Sequence, residues 1–156
     1  MRGMFMTAPD GTSPPHVIVG VDGSPESVEA LRWAARYAAA TGAKITAVHA
    51  WHYPAGGPVP AGQQPQVITE QVRVTMQETL DKALTEVFGT GTPGNADSKV
   101  AYGHPAMVLV SESEGTDLLV VGNRGHGAFH GMLLGSVSIH CVTNATCPVV
   151  VVRGAS

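Results

Sequence analysis

Five short apolar runs alternate along the chain with longer stretches of helical periodicity. The first, His16 to Val21, is apolar without interruption, as in a strand covered on both faces of a parallel sheet. Asp22-Gly23-Ser24-Pro25 follows, and Ser24 is placed to cap a helix with Pro25 at its first position. That helix is predicted to reach about Thr41, with Val28, Leu31, Ala35 and Ala38 on its inner face and Gly42 as its stop. Lys44 to Ala50 reads as a second strand. Val67 to Phe88 carries an i, i+4 stripe of Val72, Met76, Leu80 and Leu84 and reads as a second helix. A weak strand is expected around Ser98 to Ala101. Gly103-His104-Pro105 opens a third helix running to about Ser113. Leu118 to Val121 makes a fourth strand, Ser136 to about Asn144 a fourth helix, and Cys147 to Arg153 a fifth strand.

Strict alternation of this kind predicts an α/β fold, a five-stranded parallel sheet with right-handed crossovers and helices on both faces. Ligands in such sheets bind beyond the carboxyl ends of the strands, where the strand order reverses. The turn at Asp22 and the loop after Val121 both leave the sheet at that edge. Residues 1–15 show no periodicity and are expected to form a flexible leader, followed by one domain over 16–154. The Pro/Gly-rich stretch at 54–65 excludes a helix or central strand and reads as a lid or as a disordered connector.

Composition adds limits. A length of 156 residues suits a single core. Only 13% of residues are charged, against a usual share of about a quarter, so part of the surface is expected to be covered by another subunit, or simply to be rich in Ala and Gly. A net charge of −3 argues against a nucleic-acid polymer as partner. No apolar run approaches the roughly 20 residues of a membrane span, and the first 15 residues lack the apolar core of a signal peptide. A cytoplasmic protein is expected. Cys141 and Cys147 match no metal or CxxC spacing and read as buried structural thiols rather than redox centres.

The chemistry concentrates between the fourth strand and the fourth helix. Five glycines lie between residues 122 and 135, Arg124, His126 and His130 lie among them, and Asp117 is the last acidic residue of the chain. Glycines permit positive φ and close approach of a ligand, and the first N–H groups of the following helix lack internal partners. Strand, glycine-rich loop and helix N-terminus in that order make an anion site. Arg124 is placed either to grip a phosphate or to sit solvated in the loop. His126 and His130 read first as exposed loop histidines; protonated, they would add phosphate affinity that fades above about pH 6.5. His49-x-x-His52 lacks the further ligands of a metal site, and no metal is assigned.

Gly122, two residues, Gly125, nine residues, then Gly135-Ser136 resembles the nucleotide-binding signature of the universal stress protein family in its ATP-binding branch. The resemblance extends from His16 to Arg153 through Val-Gly-Val-Asp-Gly-Ser at 19–24, Val48-His49-Ala50, Gly-His-Pro at 103–105 and Cys-Pro-Val-Val-Val-Val at 147–152. It implies a Rossmann-like sheet of the adenine nucleotide alpha hydrolase type, with strand order 3-2-1-4-5. It further implies ATP, with Mg2+ as an accompanying ion, or cyclic AMP as the alternative ligand. Gly20 and Val21 would wall the adenine, the backbone at Ala50 would read its edge, and Asp22 would meet the ribose or adenine end unless it merely shapes the turn. Gly122, Gly125, Gly135 and Ser136 would hold ribose and phosphates. Ser138 matches a hydroxyl position of the pattern, and Asn123, Arg124, His126 and Val137 complete the candidate set.

Two lines converge on a homodimer. An apolar edge at Val149 to Val152 needs protection, and in the family this strand pairs antiparallel with its twin. Phosphoryl transfer needs a metal-binding carboxylate beside the phosphates, and the acid-free loop offers none, although Asp22 or Asp117 could lie closer than the sequence shows. The expected role is a nucleotide-dependent regulator of the stress response, with slow ATP hydrolysis at most. A nucleotide-free interaction scaffold is the alternative. A flavin module would want more aromatic residues than Phe129 beside the loop.

Overall fold

The computed structural model describes residues 13–53, 61–62, 69–125 and 133–154. Within them the order is β1 (His16–Gly20), α1 (Pro25–Thr41), β2 (Lys44–Trp51), α2 (Glu70–Phe88), β3 (Ala96–Tyr102), α3 (Pro105–Ser113), β4 (Leu118–Gly122), α4 (Ser136–Asn144) and β5 (Val149–Val152). Every pairing is parallel, as the alternation predicts, and the order β3-β2-β1-β4-β5 is the Rossmann-like one that the family resemblance implies. Successive strand residues face opposite layers. Val17 and Val19 join Leu31, Ile45, Leu80 and Val120 in one core. Ile18 joins Val48, Leu109, Leu119 and Cys141 in the other. With both faces of the sheet covered, β1 and β4 have no use for polar positions, which is why they read as unbroken apolar runs.

The helix ends follow their local chemistry. Ser24 caps α1 by accepting the Ser27 N–H, and Gly42 stops it in the left-handed conformation at φ 76°. Thr69 caps α2 by accepting the Val72 N–H, so that helix starts at Glu70 rather than at Val67. His104 caps α3 through Nδ1, which accepts the Ala106 N–H at 3.3 Å.

Three further expectations need correction. Ala34, not Ala35, faces the core from α1, since the buried positions Leu31, Ala34 and Ala38 follow the i, i+3, i+7 spacing that suits a helix lying on a sheet. Strand β3 runs from Ala96, two residues before the expected Ser98, because its partner β2 bonds it from Ile45–Ala96 to Trp51–Tyr102 whatever its side chains. Strand β5 starts at Val149, after Pro148, rather than at Cys147. The leader before residue 13, most of the stretch at 54–65, and the loop histidines His126 and His130 lie outside the described residues.

Candidate functional site

The order reverses between β1 and β4, and there a cavity of about 350 Å³ opens beyond their carboxyl ends. Gly20, Val21, Asp22, Ala50, Gly122, Arg124, Gly125, Gly135, Ser136, Val137 and Ser138 line it, residues drawn from four separate stretches of chain. Asn123 lies buried behind the lining, and His126 falls outside the described residues. Val48, Pro105, Leu109 and Val121, which extend the apolar wall, and Ser27 and His49 were not among the expected site residues. Leu109 was discoverable in principle: it follows Pro105 at i+4, so one face of α3 presents both to the cavity.

The polar side is built from turns. One Asp22 carboxylate oxygen accepts the N–H and the hydroxyl of Ser24, while the Asp22 N–H donates to Ser27 Oγ at 3.3 Å. Asp22 therefore shapes the entry to α1, as Asx turns do. Its other oxygen faces the loop, because a Cβ placed on Gly125 would lie 2.5 Å from it. The carboxylate serves the turn and the cavity together. Asp117 is remote: it accepts the His16 N–H at 2.8 Å at the start of β4, the opposite end of the sheet.

The glycines act differently from the expectation of positive φ. None of Gly122, Gly125 and Gly135 has it. Gly122 and Gly125 are required by close approach instead, whereas a Cβ on Gly135 would meet nothing nearer than 3.4 Å. A Cβ on Gly122 would lie 2.9 Å from the backbone of Glu26, so this glycine admits the first turn of α1 rather than a ligand. Gly20 admits Leu109, whose Cδ1 would stand 2.7 Å from a Cβ there. Gly135 is extended, at φ −82° and ψ 171°.

Gly135 is also the N-cap of α4, and it supplies no side-chain cap. The other three helices have one each, from Ser24, Thr69 and His104. The first turn of α4 thus presents backbone N–H groups, with the positive end of the helix dipole, to the cavity. Ser138 turns its hydroxyl inward to the carbonyls of Asn123 and Gly135, at 3.0 and 2.9 Å, so it closes the loop rather than offering a ligand hydroxyl.

Arg124 is only partly exposed, and it is not uncommitted. It lines the cavity, yet its Nη2 lies 3.3 Å from Glu26 Oε2 on α1. Glu26 places a carboxylate near a loop that contains none, and sequence spacing could not reveal a pair 98 residues apart. Among the described residues no group of three or more His, Cys, Asp or Glu is arranged to hold a metal. His49 Nδ1 lies 3.4 Å from the Met76 carbonyl, and His52 meets His104 edge to face at 5.1 Å.

Comparison with known proteins agrees with this architecture. The profile of the universal stress protein family matches residues 15–153. A universal stress protein of Mycolicibacterium smegmatis is 34% identical over 141 residues, covering 88% of this chain and 48% of its own. One from Mycobacterium tuberculosis is 36% identical over 139 residues, covering 88% and 47%. The chain thus spans about half the length of the curated relatives it matches. A universal stress protein solved in complex with cAMP aligns at a TM-score of 0.68 and 26% identity, over 92% of this chain and 100% of its own. One from Archaeoglobus fulgidus in complex with dAMP shares the fold, at a TM-score of 0.63 and 20% identity over 88% and 96%. On sequence and fold together, the chain belongs to the universal stress protein family.

Proposed function

We propose that the cavity binds an adenine nucleotide, ATP first among them, and that the protein acts as a cytoplasmic, nucleotide-dependent regulator of the stress response in the form of a homodimer. One observation carries the reading. A single cavity combines an apolar wall of Val21, Val48, Ala50 and Leu109 with the only helix start, among those described, that lacks a side-chain cap. A flat apolar base suits the first and a phosphate the second. The volume of about 350 Å³ lies within the range of small-molecule sites. The related structure in complex with cAMP supports the ligand class. Mg2+ would enter with a triphosphate, and Asp22 is the carboxylate lining the cavity.

Cyclic AMP is the second reading, favoured by the engagement of Arg124 with Glu26, which leaves the α4 amides as the main anion site among the described residues. The dimer is supported by the position of β5 at the sheet edge and by Ile139 and Val142 of α4, exposed at 47% and 52%. Mass spectrometry of the nucleotide that co-purifies, followed by calorimetric titration of ATP, ADP, AMP and cyclic AMP, tests the reading. Preference for ATP supports it, preference for cyclic AMP supports the second, and silence toward all four leaves a nucleotide-free scaffold.

A further inference from the structure

We infer that Glu26 sets the phosphate preference of the cavity, by holding Arg124 back against α1. The inference rests on the nucleotide reading and deepens it: the α4 amides still favour ATP, and Glu26 narrows its margin over cyclic AMP without reversing it.

Arg124 lines the cavity and Glu26 does not. Their side chains, 31% and 19% exposed, meet at 3.3 Å. The Arg124 Nε is buried and has no partner among the described residues. Arg124, a residue of the cavity wall, therefore spends one guanidinium donor on a carboxylate and keeps another unused, where a phosphate reached by the side chain could take both.

The position of Glu26 is built rather than incidental. It sits in the first turn of α1, where a carboxylate is favoured by the helix dipole. Two glycines make room for it. A Cβ on Gly122 would lie 2.9 Å from its backbone, and one on Gly154 would lie 2.9 Å from its Cγ.

The local charge follows from the sequence and the lining together. No Lys, Arg, Asp or Glu occurs from Gly125 to Val152. Among the described residues Arg124 is the one cation lining the cavity, and Asp22 lines it as well. Two carboxylates thus oppose one guanidinium. A singly charged cyclic phosphate served by the α4 amides tolerates that balance. A triphosphate, with several charges, gains little from an arginine already neutralised. Glu26 is accordingly a specificity residue acting through Arg124.

Glu26→Gln removes the charge and keeps the length of the side chain and one acceptor oxygen. The test titrates wild type and E26Q with ATP, cyclic AMP, inorganic tripolyphosphate and inorganic phosphate. It is run without Mg2+ at pH 8, where ordinary imidazoles are neutral. A thermal melt confirms that E26Q folds. E26Q is expected to bind ATP about tenfold more tightly while its affinity for cyclic AMP moves by less than about twofold. Tripolyphosphate follows ATP, and Arg124→Met in the E26Q background abolishes the gain. Equal changes for ATP and cyclic AMP, or none, overturn the role of Glu26. If no adenylate binds either protein, the nucleotide reading fails separately. In that case tighter tripolyphosphate binding by E26Q still supports the role of Glu26, and unchanged or absent tripolyphosphate binding overturns it.

Discussion

Asn123 ties the site together more than any residue in contact with the cavity. Its N–H donates to the Val152 carbonyl, and its own carbonyl accepts from the Gly135 N–H and the Ser138 hydroxyl. The side-chain amide donates to the Leu133 carbonyl at 3.0 Å and accepts the Gly154 N–H at 3.2 Å. One buried side chain therefore fastens the far end of the glycine loop and the residue after β5 to the tip of β4. Asn123→Ala keeps the backbone bonds and strands two polar partners, at a cost of about 1–3 kcal/mol. A lower melting temperature and faster hydrogen exchange from 133 to 138 are expected. Unchanged exchange there would count against the staple. The sequence named Asn123 as a ligand contact; its structural work depends on partners 10 and 31 residues away, which no local spacing encodes. His16 offers a pH handle. Burial, with Lys44 adding to it, lowers its pKa below 6.5, and Nε2 lies 2.9 Å from Thr46 Oγ1. A lowered imidazole pKa means that the unfolded chain takes up the proton first. Its contribution to stability is thus complete above about pH 6.5 and is lost as pH falls through the folded value. An NMR titration should place His16 below ordinary histidines; a value above them would contradict the assignment.

At the scale of elements, Gly122 and Gly125 separate two roles that a single glycine motif conceals. Gly122 lies where β4 touches the first turn of α1, so Gly122→Val is expected to strain that packing, at about 1–3 kcal/mol. Gly125 lies directly against the second oxygen of Asp22 at the cavity wall, so Gly125→Val should push that carboxylate aside and impair nucleotide binding with a smaller effect on the melt. Melting and calorimetry on both variants check the division, and equal melting losses would refute it. Elements themselves were readable wherever a local device fixes them. Ser24-Pro25, Gly42 and Gly103-His104-Pro105 set helix ends through contacts within a few residues. Strand β3 was only partly readable, because pairing with β2 rather than its own side chains determines its length. The cavity followed the same division. Turns and glycines announced its polar side, while Pro105 read as a helix opening and nothing singled out Leu109 until α3 was seated on the sheet.

For the molecule as a whole, β5 carries the proposal of a homodimer. The carbonyls of Pro148 and Val152 accept the N–H groups of Leu119 on β4 and of Asn123 just beyond it. By strand alternation the N–H of Val151 points away from β4, toward the open edge. Val151→Pro should leave the inner ladder intact and remove an outward donor. Sedimentation velocity is expected to show a dimer for wild type and a monomer for the variant. A wild-type monomer, or a variant that still dimerises, would contradict pairing through this edge. Because Gly154, just beyond β5, bonds the Asn123 side chain, the proposed dimer edge and the nucleotide loop share an anchor. In the proposed complex an adenylate sits with its base on the apolar wall and its phosphate on the α4 amides. Backbone amide chemical shifts on titration with ATP and cyclic AMP test it most directly. The account predicts the largest shifts at Ser136, Val137 and Ser138, with a second group at Val21 and Ala50; shifts confined to other surfaces, or none at saturating nucleotide, would contradict it.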